Sequence, residues 1–441
     1  MSLNVFVSGK PVAVLDSPDG FAHVLAYRAG VPTEDFVSLL MPVRTESWRW
    51  PTLHPFFQIS LPEGFLLAVL KEQIGPHLGS SPLDLLAVVG ANTVGRVQLS
   101  AGDKPDPGEV PFNLRSLLHG DNSPQVFLNL VRAHAASGVS GVVPKFLTPD
   151  TQSLFHKASL RTEQYIVKGS SEQLPFIALN EHLCMEVARR TGYPTPRTEV
   201  SDDGQALVVE RFDTDPSSGK RLGFEDMCSL LGLSPDEKYD STWERVARRA
   251  SQFLSSGNLR QAQEQLAITL LLTYALGNAD CHTKNLGLLY SSLADVRLAP
   301  IYDMLSIRVY DSYVGNPPGM AIDGRKTWTP GKALWRVLQQ HMGIEPVQQR
   351  ALVDKVAESM SEVIPELIRR TKQTPGFAVV GNRMVREWND GLARIRDRTT
   401  VQVPDFEAMA KEAGLSPAAL PQQHVPQRFG ESPLLAPRRR R

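Results

Sequence analysis

The sequence predicts an α/β (α+β) chain folded as two lobes: a small mixed lobe, then a large all-helical one, with an extra β-rich subdomain ahead of both. Three observations predict it. Short apolar runs separated by turn residues crowd the first hundred positions, and strand and helix patterns mix from about 110 to 222. From 223 to about 415 the apolar residues recur mainly at helical spacing.

In chain order, Asn4 to Leu15 holds two strand-like runs around Ser8-Gly9-Lys10-Pro11, and a turn at Pro18-Asp19-Gly20 leads to a third ending at Tyr27. Pro62 opens an amphipathic helix over Glu63 to Ile74, closed by Gly75, and a second helix is expected from Pro82 to Val89. Gly102 to Gly108 is too rich in Pro and Gly for a core element and reads as a linker, which bounds the first unit at 1–105. Within 110–222, Asn180 to Arg190 is a helix stopped by Gly192, and Leu207 to Phe212 is a strand. Within 223–415, Trp243 to Leu254, Leu266 to Leu276 and Ala351 to Ile368 are helical. The stretch 416–441 is rich in prolines, ends in Arg438–Arg441, and is expected to be a mobile tail.

Forty-seven basic residues balance forty-seven acidic ones, so global charge gives no argument for nucleic acid. Cys184, Cys228 and Cys281 lack the short paired spacing of a zinc knuckle or a disulfide framework, and a reducing cytoplasm fits them. No apolar run reaches the roughly 18 residues of a membrane span, and the first residues lack an export signal.

The chemistry concentrates in Gly277-Asn-Ala-Asp-Cys-His-Thr-Lys-Asn285. An Asp and an Asn five positions apart form the centre of a phosphoryl-transfer site, in which the Asp takes the hydroxyl proton and the Asn holds magnesium. Asp280 fits the first role and Asn285 the second, while Lys284 would neutralise charge on the transferred group. Asp303, in Ile301-Tyr-Asp-Met304, supplies the second acid, since magnesium takes hard oxygens and keeps its waters. His282 is a candidate orienter beside the nucleotide; a structural loop histidine is the plainer reading.

Upstream, Ser137 to Lys145 is a small-residue loop ending in a Lys, a pattern that lets backbone amides approach phosphate. Lys168 ends the apolar run Tyr165-Ile-Val-Lys, where it can reach phosphates with Glu181 or Glu186 as partner; a solvated strand-end lysine is the alternative. Glu210-Arg-Phe-Asp213 reads as an exposed strand end, either a connector lining an adenine site or an edge strand with salt bridges. Gly90 to Val97 starts like a P-loop but carries Arg96-Val97 where Lys then Ser or Thr are needed, so a hairpin turn is expected.

These pieces together resemble the HipA family of serine/threonine kinase toxins. The matching segments are Val88 to Val97, Ser140 to Lys145, Tyr165 to Lys168, Glu210 to Asp213, Glu225 to Cys228, Gly277 to Asn285 and Pro300 to Asp303. The resemblance implies a two-lobed protein-kinase-like fold, ATP and magnesium as cofactors, and transfer to a serine of a protein. It implies Asp280 as base, Asn285 and Asp303 as metal ligands, Lys145 and Lys168 on ATP phosphates, and Glu210 and Phe212 at the adenine.

It also implies autophosphorylation within the loop ending at Lys145. Ser140 matches the second serine of members with a Ser-x-Ser loop, whereas Gly138 replaces the first and Ser137 is offset by one. Val143 stands where a Gln is common. The implied partners are a helix-turn-helix antitoxin, HipB, with operator DNA bound through it. The implied substrate is an aminoacyl-tRNA synthetase such as glutamyl-tRNA synthetase, whose phosphorylation brings growth arrest. Against this stand a small-molecule kinase of the aminoglycoside-phosphotransferase type and a catalytically degenerate repressor subunit.

Overall fold

Alternation makes Leu3, Val5 and Val7 one buried face of strand β1 (Ser2–Val7), and this face starts the first core. β1 lies between β2 (Lys10–Asp16) and β5 (Val97–Ser100) in an antiparallel sheet completed by β3 (His23–Tyr27) and β4 (Trp48–Trp50), in the order β4-β3-β2-β1-β5. Helix α1 (Pro82–Val89) covers it with Leu83 and Leu86. Its start is the expected one: Ser81 and Asp84 form a reciprocal capping box ahead of Pro82. The computed structural model describes residues 1–18, 20, 22–61, 81–105, 113–127, 129, 158–162, 164–396 and 401–417. The helix expected over Glu63 to Ile74, the Ser137–Lys145 loop with Ser140, and the Arg438–Arg441 tail lie outside these residues.

A second antiparallel sheet runs β6-β7-β9-β8, from Ala158–Arg161, Tyr165–Gly169, Ala206–Glu210 and Thr198–Val200. Helix α2 (Ile177–Arg190) packs Ala178 against its Leu207 and Val209. The two-lobed α+β architecture is as expected, with one correction. The lobe expected to be all-helical also holds a three-stranded antiparallel sheet, β10 (Gly223–Asp226), β11 (Gly287–Tyr290) and β12 (Val296–Leu298). These strands are three or four residues long, too short for alternation to show against the helical spacing around them.

The large core centres on α4 (Leu259–Leu276), which follows α3 (Trp243–Ser251) and is buried from Gln265 to Leu276 on every side. It packs against α6 (Pro346–Gln373) and α7 (Ala378–Ile395), which follow α5 (Lys332–Met342). The approach of α7 is as close as backbones allow. A Cβ on Gly391 would lie 1.9 Å from the Ala275 carbonyl oxygen, so only glycine fits.

The β-rich unit docks on the rest through an aromatic stack and buried polar contacts. Phe36 stacks on Tyr290 with ring centroids 5.3 Å apart. The fully buried Glu225 carboxylate accepts from Ser38 Oγ (2.8 Å), Leu39 N (2.6 Å) and Tyr290 OH (2.9 Å). Gly90 to Val97 is not a hairpin turn: it connects α1 to β5, and β5 pairs with β1, not with a neighbour in sequence. Gly95 N in this connection donates to Asp213 Oδ2 at 2.6 Å.

Burial pushes the Glu225 carboxyl up from the ordinary 4.5 to about 7, against the donors from Leu39, Ser38 and Tyr290 that favour its charged form. A raised folded-state value means the folded protein holds the proton between about 4.5 and about 7 while the unfolded chain has lost it. That contribution to stability is complete below about 4.5 and disappears as pH rises through about 7. Urea unfolding across this window should show wild type losing up to roughly 3 kcal/mol relative to Glu225→Gln. Parallel pH curves for the two proteins would rule this assignment out.

Candidate active site

The site begins where α4 ends. Gly277 terminates the helix with a left-handed φ of +68°, and a Cβ there would lie 2.3 Å from Glu387 Oε1 of α7. The Glu387 carboxylate is fully buried and is held by Arg308 Nη1 (2.6 Å) and Arg394 Nη1 (2.7 Å), so it cannot easily yield. Asn278, also fully buried, then ties two segments together. Its Nδ2 donates to the Asp303 carbonyl at 3.2 Å, and its Oδ1 accepts from Asp280 N at 3.1 Å.

Asp280 presents its carboxylate beside Tyr239, whose hydroxyl donates to Oδ1 at 2.6 Å. His282 Nε2 lies 3.8 Å from the same oxygen, and its ring meets Tyr239 edge-on. The loop is pinned from outside by Lys238, whose carbonyl accepts from Thr283 N and Thr283 Oγ1. Asn285 closes it: its backbone N donates to His282 O before the chain enters β11.

Asp303 faces this loop with φ +57°, the left-handed region that a non-glycine residue occupies at a cost. Its carboxylate is the meeting point. Oδ2 accepts from Asn285 Nδ2 at 3.0 Å, and Oδ1 accepts from Lys168 Nζ. Lys168 Nζ also donates to Glu181 Oε1 at 2.5 Å. Burial pulls the Lys168 ammonium down, but the Asp303 and Glu181 carboxylates outweigh it and hold the group above its ordinary value. Of the two acids offered by α2, Glu181 is therefore the partner; Glu186 pairs with Arg189 on the same helix.

Phe212 stacks on Tyr302 at 5.2 Å and joins Phe224, Leu222 and Leu289 in an apolar cluster behind Asp303. Tyr302 OH donates to the Lys284 carbonyl at 2.8 Å, which fixes the loop backbone while the Lys284 side chain stays half-buried. Glu210 is exposed and pairs with Tyr165, three register positions from the Lys168–Leu207 pair, roughly 10 Å along the strand.

The Glu210–Asp213 segment differs from its expected form. β9 lies inside the sheet between β7 and β8, and Arg211 and Asp213 are buried. Arg211 makes a two-pronged pair with Asp213 (2.9 and 2.6 Å) and donates to Thr93 O and Thr162 O. The β-rich unit covers this strand end, which sequence alone could not show.

Two residues here had no sequence signal of their own. Tyr239 lies forty-one positions before Asp280, and Asn278 was visible only as part of the Gly-x-x preceding the Asp. Among the described residues, no group of three or more His, Cys, Asp or Glu is arranged to hold a metal, and no helix is long and apolar enough to cross a membrane. An Asp carboxylate beside an Asn amide is a hard donor set nonetheless, suited to a metal that keeps most of its waters.

Two family models match the chain: the HipA-like C-terminal domain over residues 137–364 and the HipA N-terminal domain over residues 3–100. "Putative kinase Y4mE" of Sinorhizobium fredii is 27% identical over 400 residues, which span 82% of this chain and 92% of that protein. "Putative kinase Y4dM" of the same organism is 26% identical, over 70% of this chain and 78% of its own. The solved complex of HipA, HipB and operator DNA from the Shewanella oneidensis MR-1 toxin–antitoxin system contains a chain of the same fold. The TM-score is 0.63 at 18% identity, over 89% of this chain and 96% of that one.

Gly277→Ala tests the loop's anchor. It should destabilise the protein by about 1–3 kcal/mol, from left-handed strain and the clash with Glu387. An unchanged thermal midpoint would show that Glu387 gives way.

Proposed function

The chain belongs to the HipA family, and from that premise we propose that it is a kinase transferring the γ-phosphate of ATP to a serine of a protein. One observation carries the reading. Lys168, Asp303 and Asn285, predicted separately from three distant stretches, form one continuous hydrogen-bonded chain. Asn278 then links Asp303 to Asp280.

In this proposal Asp280 accepts the proton of the attacking hydroxyl. Tyr239 aims its carboxylate through the hydrogen bond to Oδ1. Lys168 contacts nucleotide phosphates, with Glu181 holding its ammonium in place. Asp303 and Asn285 would hold magnesium through their side-chain oxygens. When bound, the metal neutralises phosphate charge. Lys284 adds positive charge near the transferred group, and His282 orients the loop. Phe212, through its stack on Tyr302, supplies apolar backing for the adenine. Lys145 on the phosphates, Glu210 at the adenine rim and self-phosphorylation at Ser140 complete the proposal. Lys145 and Ser140 lie outside the described residues.

The partners proposed are a HipB-like helix-turn-helix antitoxin and, through it, operator DNA, as in the Shewanella complex. The proposed substrate is an aminoacyl-tRNA synthetase. The test is incubation with labelled ATP, magnesium and cell extract, where a labelled protein band is expected and a labelled small molecule instead would favour the rival kinase type. Asp280→Asn and Asp303→Asn should each lower transfer by about 10²–10⁴-fold with the thermal midpoint retained. Wild-type turnover by either variant would sink the site assignment. Tyr239→Phe should cost less, lowering kcat several-fold while nucleotide affinity stays as in wild type; an unchanged kcat would remove Tyr239 from the machinery.

A further inference from the structure

A cavity of about 240 Å³ opens where the β-rich unit meets the body, away from the Asp280–Asp303 site. Ser8, Asn92, Thr93 and Arg96 line it from one side, and Lys220 and Arg221 from the other. Its charge is unbalanced. No carboxylate is among the described residues lining it. The Asp213 carboxylate, buried behind the wall, already accepts from Arg211, Gly95 N and Arg221.

Arg96 is the decisive residue. It is 6% exposed, and among the described residues its guanidinium donates only to the backbone carbonyls of Ser291, Glu34 and Phe36. Nε is buried and has no hydrogen-bond partner among the described residues. The group lies over the rings of Phe36 (4.4 Å) and Tyr290 (5.2 Å), and among the described residues it makes no ion pair. A buried guanidinium satisfied only by neutral groups retains its full charge in a place where water screens it poorly. Lys220 is exposed and forms no ion pair among the described residues, so its ammonium adds to that charge at the mouth. Arg221, three-tenths exposed, adds a second guanidinium there.

We propose that this cavity binds a phosphate monoester dianion, independently of the kinase reading. Two charges match the cluster of Arg96, Lys220 and Arg221, and the Ser8 hydroxyl and the Asn92 amide suit the tetrahedral oxygens. The volume suits a small phosphorylated molecule and not a whole nucleotide triphosphate. Because the walls come from both units, the ligand acts as a bridge across their junction, and binding raises the stability of the docked form.

The experiment is calorimetric titration of the full-length protein with inorganic phosphate and with phenyl phosphate, with acetate as the monoanion control. Thermal midpoints are recorded alongside. Both phosphates should bind and raise the midpoint, and acetate should do neither. Lys220→Glu, a change at an exposed side chain, should weaken phosphate binding by roughly tenfold or more, as should Arg221→Gln. Lys168→Met separates this cavity from the nucleotide site and should leave phosphate binding intact. The proposal is overturned if neither phosphate gives saturable binding, if Lys220→Glu binds as wild type does, or if Lys168→Met abolishes the binding.

Discussion

One ammonium group, on Lys168, holds together the parts of the chain that matter for chemistry. It sits on a strand of the small lobe, and its two carboxylate partners come from helix α2 and from the segment after the large lobe's sheet. The side chain is only 12% exposed, so the energetic reason for its position is strict. A buried ammonium without partners would lose its proton or force the site open, and with two carboxylates it stays charged. The converse also holds. Glu181 and Asp303 would repel one another across the cleft without the lysine between them. Two carboxylates around one ammonium leave the cluster with one net negative charge, an arrangement that favours the arrival of another cation.

The loop that faces this cluster is held by contacts with little freedom. Gly277 is wedged against a glutamate that two arginines lock, Asn278 bonds to the backbone of both Asp280 and Asp303, and Asp303 takes a left-handed conformation that its surroundings enforce. Of these, the left-handed Asp303 is the one with a conformational cost. Together they place Asp280, Asn285 and Asp303 with their side chains converging, and rigidity of this kind keeps donors and acceptors aimed without reorganisation during reaction.

Much of this was legible in the sequence because the chemistry is local. Asp280, Lys284 and Asn285 lie within six residues, and Asp303 is separated from them by two short strands. Lys168 and its acid were legible as a pair of elements, a strand end and the helix after it, although helical spacing alone could not choose Glu181 over Glu186. What was hidden depended on packing between distant stretches. The burial of Arg211 and Asp213 follows from the β-rich unit lying over them, and their local sequence, rich in charge, reads as surface. Tyr239 reaches Asp280 across forty-one positions by a route no motif encodes. The three-stranded sheet escaped notice because its strands are shorter than one alternation pattern needs.

The attachment of the β-rich unit joins an apolar anchor, Phe36 against Tyr290, to buried polar contacts, and the polar ones have a mechanical consequence. Glu225 and the Arg211–Asp213 pair are buried polar groups that also bond across to the opposite unit: to Ser38 and Leu39 for the first, to Gly95 and Thr93 for the second. Such contacts tolerate little sliding, because moving a donor by an ångström leaves a charge both buried and unsatisfied. Arg211 follows directly on β9, and β9 is hydrogen-bonded along its length to β7, which carries Lys168. Glu225 in turn lies on β10, paired with the strand that begins two residues after Asn285. The unit therefore grips both sides of the cleft through strands that lead straight to the lysine and to the asparagine. A change in how it docks has no soft element to absorb it before it reaches the site.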